Sequence, residues 1–231
     1  MNDSHSNYGI CAYNDLIYVI GGRNTSTVEC YNPSTDQWHK CPELDSIYNG
    51  NRAAVVENCI FNYGSFKDST QCTSSLTRCD PREGRWYDVK TTLGKITRTP
   101  GEHFNLVPYK HFIISVRNRS KRFDVRCNKW EDMPSTHFSR GGQSAVIIDE
   151  DIYVFGGRNG SDSDTSTHLP VTSVERFNFN TNKWTIVDSV EIEHCIGGAA
   201  VISDRFDFSE GYGLEHDMSV AASLMLCCLF T

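Results

Sequence analysis

The sequence predicts an all-β protein built from repeated four-stranded units, and three observations support this. The residues "DIYVFGGRN" at 151–159 almost repeat "LIYVIGGRN" at 16–24. Segments rich in Val, Ile, Tyr and Phe recur, and no amphipathic helical stretch of useful length stands out. The four tryptophans follow one another at intervals of 48, 44 and 54 residues: Trp38, Trp86, Trp130 and Trp184. Four short strands at this period are typical of the blades of a β-propeller.

Each unit contains two apolar runs joined by a polar turn, then a polar loop, then two strand-forming segments around a second turn. The first turns are Asn14-Asp15, Glu57-Asn58 and Asp149-Glu150, and the second include "NPSTDQ", "DPREG" and "NFNTNK". Asn, Asp, Pro and Gly between strand formers are turn chemistry. We therefore expect a propeller domain over 1–213, with units at about 5–48, 49–98, 99–139 and 140–194 and a partial fifth at 195–213.

The C-terminal part departs from the repeat. "GGAAVISDR" at 197–205 matches the first strand of a blade, but Glu210 and Gly211 stand where Gly-Gly is expected. Residues 214–231 form a divergent tail that resembles the first strand of a further blade. This pattern indicates a truncated or alternatively spliced chain. Four and a half units leave an open, incomplete arc with unpaired edges if the propeller needs more blades, whereas a four-bladed propeller closes, and the sequence leaves both open.

Apolar residues that run into Gly-Gly, followed by an aromatic residue and then a Trp, resemble the kelch motif. The second unit keeps one glycine and its Trp, and the third keeps its aromatic residue and its Trp. We expect these residues to be structural, with each Trp buried between adjacent sheets. They are Gly21, Gly22, Tyr31 and Trp38; Gly64 and Trp86; Phe123 and Trp130; and Gly156, Gly157, Phe177 and Trp184.

The resemblance extends to the animal kelch-like proteins, in which a propeller follows a BTB dimerisation domain and a BACK helical domain. "YNPSTDQWHKCPEL" at 31–44 and "RFNFNTNKW" at 176–184 are similar to segments of that family. The resemblance implies a kelch-type propeller, and the chain is expected to be a partial member without BTB and BACK.

Composition limits the functional classes. The net charge of −7 argues against nucleic acid or an anionic membrane as the main partner. The ten cysteines include no CxxC pair and the N-terminus has no secretory pattern, so we expect a reducing, cytoplasmic location and neither metal nor cofactor. GxSxG and HExxH are missing and the eight histidines are dispersed, so we expect no enzymatic activity.

The Gly-Gly-Arg stretches predict a structural turn rather than a phosphate loop. A phosphate loop opens into a helix, whose N-terminal N–H groups face the anion. Here the glycines are followed by the polar loops "NTSTVEC" and "NGSDSDTSTH". Glycine at the end of a strand supplies unusual φ values and close backbone approach.

The Arg-Asn pairs that follow the second strand are the candidate binding residues. Propeller symmetry places equivalent positions around one mouth, where the planar guanidinium of Arg binds carboxylates of an acidic peptide. The alternative is that these arginines are loop caps or inter-blade ion pairs. The pairs are Arg23-Asn24, Arg117-Asn118 and Arg158-Asn159, and the resemblance to kelch-like substrate receptors adds Arg140, His137 and Tyr48.

The resemblance implies a protein-binding module similar to the substrate-recognition propeller of cullin-RING E3 ubiquitin ligase adaptors. Such adaptors recruit cullin-3 through a BTB domain, so this chain is expected to bind a protein client without recruiting the cullin. Two alternatives stay open: an actin-binding cytoskeletal kelch module and a nonfunctional truncated splice product.

Overall fold

The computed structural model describes residues 1–67, 72–90, 104–117, 119–159 and 169–189, and within these ranges it contains β-strands and no helix. The chain divides into two compact units, residues 1–133 and 134–231. The predicted partial fifth unit at 195–213 and the tail at 214–231 lie outside the described residues.

The first unit contains three four-stranded antiparallel sheets, in which consecutive strands are neighbours. We name them blades 1, 2 and 3. Blade 1 comprises β1 (Gly9–Tyr13), β2 (Leu16–Gly22), β3 (Thr25–Asn32) and β4 (Gln37–Cys41). Blade 2 comprises β5 (Asn49–Val56), β6 (Cys59–Lys67), β7 (Cys72–Asp80) and β8 (Arg85–Asp88). Blade 3 comprises β9 (Asn105–Tyr109), β10 (Phe112–Val116), β11 (Lys121–Asp124) and β12 (Lys129–Asp132).

The second unit contains one four-stranded antiparallel sheet, blade 4, and a two-stranded ribbon. Blade 4 comprises β13 (Ser144–Ile148), β14 (Asp151–Phe155), β17 (Ser173–Asn178) and β18 (Lys183–Ser189). The ribbon pairs β15 (Arg158–Asn159) with β16 (Leu169–Pro170). Along the chain it comes between the second and third strands of the blade, which pair directly with each other.

Two-residue turns join the first and second strands of blades 1, 2 and 4. Both central residues of each turn have positive φ, the pattern of a type I′ turn, whose twist matches that of the flanking strands. The φ values are 47° and 59° at Asn14-Asp15, 48° and 60° at Glu57-Asn58, and 48° and 67° at Asp149-Glu150. These are the polar turns that the sequence predicts.

The register of the last two strands places an aromatic residue opposite the Trp in three blades. Ring centroids lie 5.2 Å apart in blade 1, 5.1 Å in blade 3 and 5.2 Å in blade 4. In blade 2, Cys79 is the residue opposite Trp86. The aromatic pairs are Tyr31 with Trp38, Phe123 with Trp130, and Phe177 with Trp184.

The core of the first unit lies between neighbouring blades. One cluster joins Tyr18 and Cys30 of blade 1 to Trp86 of blade 2, and a second joins Tyr63 of blade 2 to Trp130 of blade 3. The indole Nε1 of Trp86 donates a hydrogen bond to the carbonyl oxygen of Pro42, directly after blade 1, at 2.9 Å. The Trp therefore binds the end of the preceding blade as well as filling the interface.

Blade 4 repeats this arrangement, since the Nε1 of Trp184 donates to the carbonyl oxygen of Pro134 at 2.9 Å. Trp86, Trp130 and Trp184 are buried, with exposures of 5%, 3% and 5%. Trp38 differs, because it is only half-buried. In the first unit no described sheet precedes blade 1 to cover this face.

Six of the described cysteines are free thiols, and three of these, Cys30, Cys59 and Cys79, are buried. Burial raises the pKa of Cys11 to about 12 and that of Cys79 to about 11. These thiols therefore stay protonated at neutral pH and pack as small apolar groups. None of the described residues forms a helix long and apolar enough to cross a membrane.

Candidate functional site

The Arg-Asn pairs of blades 1 and 4 lie where the segment before the first strand meets the end of the second strand. In blade 1 the backbone N–H of Arg23 donates to the carbonyl oxygen of Ser6 at 2.7 Å. In blade 4 the N–H of Arg158 donates to the carbonyl oxygen of Gly141 at 3.0 Å, and Gly141 donates back at 3.0 Å. The two blades therefore use the same backbone contact at equivalent positions.

The second glycine of each Gly-Gly pair makes this contact possible. Gly22 has φ of 151°, and a Cβ there would lie 3.0 Å from the oxygen of Ser6. Gly157 has φ of 84°, and a Cβ there would lie 2.9 Å from the oxygen of Gly141. A side chain at either position meets both backbone strain and a close contact.

The structure exposes Arg23 and Asn24 in a two-residue turn between β2 and β3, where Asn24 has φ of 67°. Arg158 and Asn159 are also exposed, but they form β15 rather than a turn. At Arg117, which is half-buried after β10, Nε donates to the carbonyl oxygen of Arg119 at 3.2 Å. The third predicted pair is incomplete here, since Asn118 lies outside the described residues.

A buried carboxylate in blade 4 organises the segment before its first strand. The Oε2 of Glu175, which is 0% exposed, accepts from the backbone N–H of His137 at 2.6 Å and lies 3.0 Å from its Nδ1. Oε1 accepts from the N–H of Phe138 at 3.3 Å and from a terminal nitrogen of Arg140 at 2.7 Å. Several charge-assisted hydrogen bonds thus satisfy this carboxylate.

Arg140 continues the network into the blade. Its other terminal nitrogen donates to the carbonyl oxygens of Gly156 at 3.1 Å and Ser173 at 2.9 Å. The side chain is 1% exposed. Burial lowers the pKa of Arg140 from its ordinary value, whereas Glu175 opposes that shift. The guanidinium therefore joins the segment before β13 to the end of β14 and to β17.

These observations correct the assignment of Arg140 and Tyr48 to a partner-binding rim. Arg140 is 4% exposed and its guanidinium binds blade 4. Tyr48 is 4% exposed and belongs to the core cluster with Tyr18 and Trp86. A binding role requires accessible polar atoms, and the packing buries both side chains. His137 keeps a 48% exposed side chain, but its ring also binds Glu175.

Blade 1 contains a matching buried carboxylate, Glu29, which is 0% exposed. Its Oε1 accepts from the backbone N–H and the side-chain Nδ2 of Asn2 at 2.9 and 2.7 Å. Its Oε2 accepts from the N–H of Asp3 and lies near Nε2 of His5, each at 3.2 Å. Burial alone raises the pKa of Glu29, but the hydrogen bonds from Asn2, Asp3 and His5 outweigh it and lower the pKa to about 2.

Sequence reasoning missed Glu29, Glu175 and His5. The sequence contains a signal for them, because Val-Glu occupies the third strand of blades 1 and 4, at 28–29 and 174–175. A charged residue two positions before the aromatic residue of a strand points to the same face of the sheet as that aromatic residue. Such a carboxylate requires a cationic or N–H partner.

Blade 2 replaces this ionic arrangement with neutral hydrogen bonds. Thr77 occupies the position of the carboxylate and donates to the carbonyl oxygen of Asn62 at 3.3 Å. The Nδ2 of Asn62 donates to Oδ1 of Asn51 at 3.0 Å, and Asn51 donates to the carbonyl oxygen of Tyr48 at 2.8 Å. Blades 1, 2 and 4 therefore all have a hydrogen-bonded polar side chain at this buried position of the third strand. It is a carboxylate in blades 1 and 4 and a hydroxyl group in blade 2.

The exposed Arg23 and Arg158 are suited to binding carboxylates, because a guanidinium donates two parallel hydrogen bonds. Within the described residues, no group of three or more His, Cys, Asp or Glu side chains is arranged to hold a metal ion. Chemically, the side chains at these two positions are able to bind an anionic group.

Comparison with known proteins agrees with this architecture. The family model described as "Kelch motif" matches residues 4–44 and 139–190, which include blades 1 and 4. Kelch-like protein 40 of Xenopus tropicalis is 22% identical over 189 residues, which cover 77% of this chain and 31% of that protein. The chain therefore contains kelch motifs, and over most of its length it is similar to kelch-like proteins. It thus spans about a third of the length of the first relatives that it matches.

Other kelch proteins match similar stretches of this kelch-repeat chain. Kelch repeat protein M-T8 of Myxoma virus (strain Lausanne) is 24% identical over 200 residues, covering 80% of the chain and 36% of that protein. Kelch-like protein 23 of Homo sapiens is 27% identical over 242 residues, covering 81% and 42%. The solved structure of YjhT matches with a TM-score of 0.71 at 11% identity, covering 87% of this chain and 71% of that one. The fold is therefore the predicted all-β, kelch-type β-propeller.

Proposed function

We propose that this kelch-repeat chain is a protein-interaction module that binds an acidic segment of a client protein. The observation that supports the proposal most directly is the exposed Arg-Asn pair that follows the second strand in both blade 1 and blade 4. Each pair is held by a backbone contact to the segment before the first strand, so the backbone that carries the arginine is ordered before a client arrives. Preorganised cations bind carboxylates with a smaller entropic loss.

The more specific proposal is substrate recognition for a cullin-RING E3 ubiquitin ligase, in the cytoplasm and without catalysis by the propeller itself. It is supported by the likeness to Kelch-like proteins 40 and 23. In this proposal the propeller selects the client, and cullin-3 is recruited through a BTB domain. A kelch module that binds actin is the alternative.

The decisive experiment measures binding of fluorescent Asp- and Glu-rich peptides to the purified chain by anisotropy. Arg23→Ala and Arg158→Ala are each expected to weaken binding about tenfold, because each removes a charged hydrogen-bonding partner. Arg126→Ala is the matched control, since this exposed arginine pairs with Glu57 at 2.9 Å and lies in the β11–β12 turn, at the opposite end of its blade.

Equal loss of binding in Arg126→Ala and Arg23→Ala contradicts the proposed role of the Arg-Asn pairs, since it indicates a general charge effect. Peptide affinity that does not change in either Arg23→Ala or Arg158→Ala also contradicts it. Co-purification of cullin-3 with the full-length gene product supports the ligase role. Sedimentation of the chain with F-actin, unaffected by these arginines, favours the cytoskeletal alternative.

A further inference from the structure

Both ring nitrogens of His5 lie beside groups that can only accept hydrogen bonds. Nδ1 is 2.7 Å from the carbonyl oxygen of Gly21, and Nε2 is 3.2 Å from Oε2 of Glu29. A carbonyl oxygen has no proton to donate, nor has an ionised carboxylate. Both nitrogens must therefore carry protons to make these hydrogen bonds. The imidazolium is the form of His5 that fits this site, although the side chain is 0% exposed.

Blade 4 performs the same task with a permanent cation. One terminal nitrogen of Arg140 donates to the carbonyl oxygen of Gly156 at 3.1 Å, and the other donates to Glu175 at 2.7 Å. Arg140 precedes Gly156 by as many residues as His5 precedes Gly21. His5 thus stands where blade 4 has an arginine.

We propose that His5 is a proton-controlled latch that fastens residues 2–6 to blade 1 and releases them as the pH rises. The protonated ring joins the segment to β2 through Gly21 and to β3 through Glu29. A neutral ring has one N–H, so one of these two buried acceptors loses its donor. The folded segment holds the protonated form, and its attachment therefore weakens as the proton is lost.

The charged groups around His5 favour the protonated ring in the folded segment. Glu29 is the charged group in direct contact, and its pKa of about 2 keeps it ionised throughout the neutral range. The ring of Tyr8 lies edge-on, with centroids 6.4 Å apart. Asp3 pairs with Lys40 of β4 at 3.3 Å, and this partly exposed pair adds little to the field at the ring.

The latch also supports the turn that carries Arg23. The N–H of Arg23 donates to the carbonyl oxygen of Ser6, the residue after His5. Release of residues 2–6 removes this acceptor and frees the turn. The proton therefore controls the order of an exposed arginine, whichever client blade 1 binds.

The test measures amide hydrogen exchange in the full chain at about pH 6 and about pH 8, corrected for the intrinsic exchange rate. Protection of the Asn2, Asp3 and Arg23 amides is expected to fall about tenfold between these values. In His5→Arg the protection should be the same at both, because the cation no longer titrates. His39→Gln is the matched control, since this histidine is exposed, and it should behave as the natural chain.

Two further measurements keep the inference testable if a variant folds poorly. The ring ¹⁵N signals of His5 in the natural chain should show both nitrogens protonated at about pH 6 and one at about pH 8. Arg140→His should transfer the pH dependence to the Phe138 and Arg158 amides of blade 4. A neutral ring at pH 6, or equal protection of the three blade 1 amides at both pH values in the natural chain, overturns the proposal.

Discussion

Gly64 illustrates how a single hydrogen atom can be required by packing. A Cβ at this position would lie 2.5 Å from the Cβ of Tyr48 and 2.9 Å from Oδ1 of Asn51. Both neighbours are buried, so neither can move aside easily. The single glycine that blade 2 retains from the motif thus serves close approach.

Gly64→Ala is expected to destabilise the protein by about 1–3 kcal/mol, because the added methyl group overpacks a buried contact. Urea denaturation followed by Trp fluorescence measures the change. Gly141→Ala is the control, since a Cβ there meets nothing within 4 Å, and its effect should stay within about 0.5 kcal/mol. Similar values for the two variants would show that the contact at Tyr48 is not as tight as described.

The tryptophans differ in burial, and the difference predicts unequal effects. Trp184→Ala should cost about 3–5 kcal/mol, because it removes a buried ring and the hydrogen bond to Pro134. Trp38→Ala should cost clearly less, since Trp38 is half-buried. Thermal or urea unfolding of the two variants gives the comparison. An unchanged melting temperature in Trp184→Ala rules out its packing role.

The hairpins of blades 1, 2 and 4 share one design, a type I′ turn of two polar residues. This is a local property, because the turn conformation follows from a few residues and from strand twist. The natural residues are not optimal, since Glu150 holds φ at 67° with an ordinary side chain.

Glu150→Gly is expected to stabilise blade 4 by about 0.5–1 kcal/mol, because glycine adopts positive φ without steric strain. Glu150→Val is the paired variant and should destabilise the blade, since a β-branched residue is strained there. Melting temperatures of both variants test this element. A lower melting temperature for the glycine variant would mean that the carboxylate makes a contact more valuable than the relief of strain.

For the molecule as a whole, buried and paired carboxylates determine behaviour in acid. Hydrogen bonds hold the pKa of Glu29 at about 2, below its ordinary 4.5. Hydrogen bonds from Arg82 hold the pKa of Asp80 at about 2, below its ordinary 3.8. Both folded-state values are lowered, so this stability is present above the ordinary pKa and is lost as the pH falls toward 2.

Glu29→Gln should therefore lower the urea midpoint at pH 7 and reduce its fall between about pH 5 and pH 2.5. Glu83→Gln serves as the control, because Glu83 is exposed in the β7–β8 turn. The measurement is a series of urea titrations across this range. An acid slope that is the same in both variants argues against a folded-state role for the Glu29 carboxylate.

The prediction of the fold depended on features that repeat along the chain. The Gly-Gly ends, the polar turns and the regular tryptophans are local, so they can be read without knowing which blades are neighbours. The assignment of Arg140 and Tyr48 to a binding rim failed for the opposite reason. Their burial depends on Glu175 in β17 and on the core around Trp86, which lie far away in sequence.

The order of residues was sufficient to determine an all-β kelch-type repeat, its turns and its structural glycines, because turn geometry and strand alternation are short-range effects. Packing decided which polar groups face solvent, since burial depends on residues from several strands. It left Arg23 and Arg158 exposed and made Arg140 part of the fold. It also enclosed His5 beside Glu29 and Gly21, which come from two different strands of blade 1.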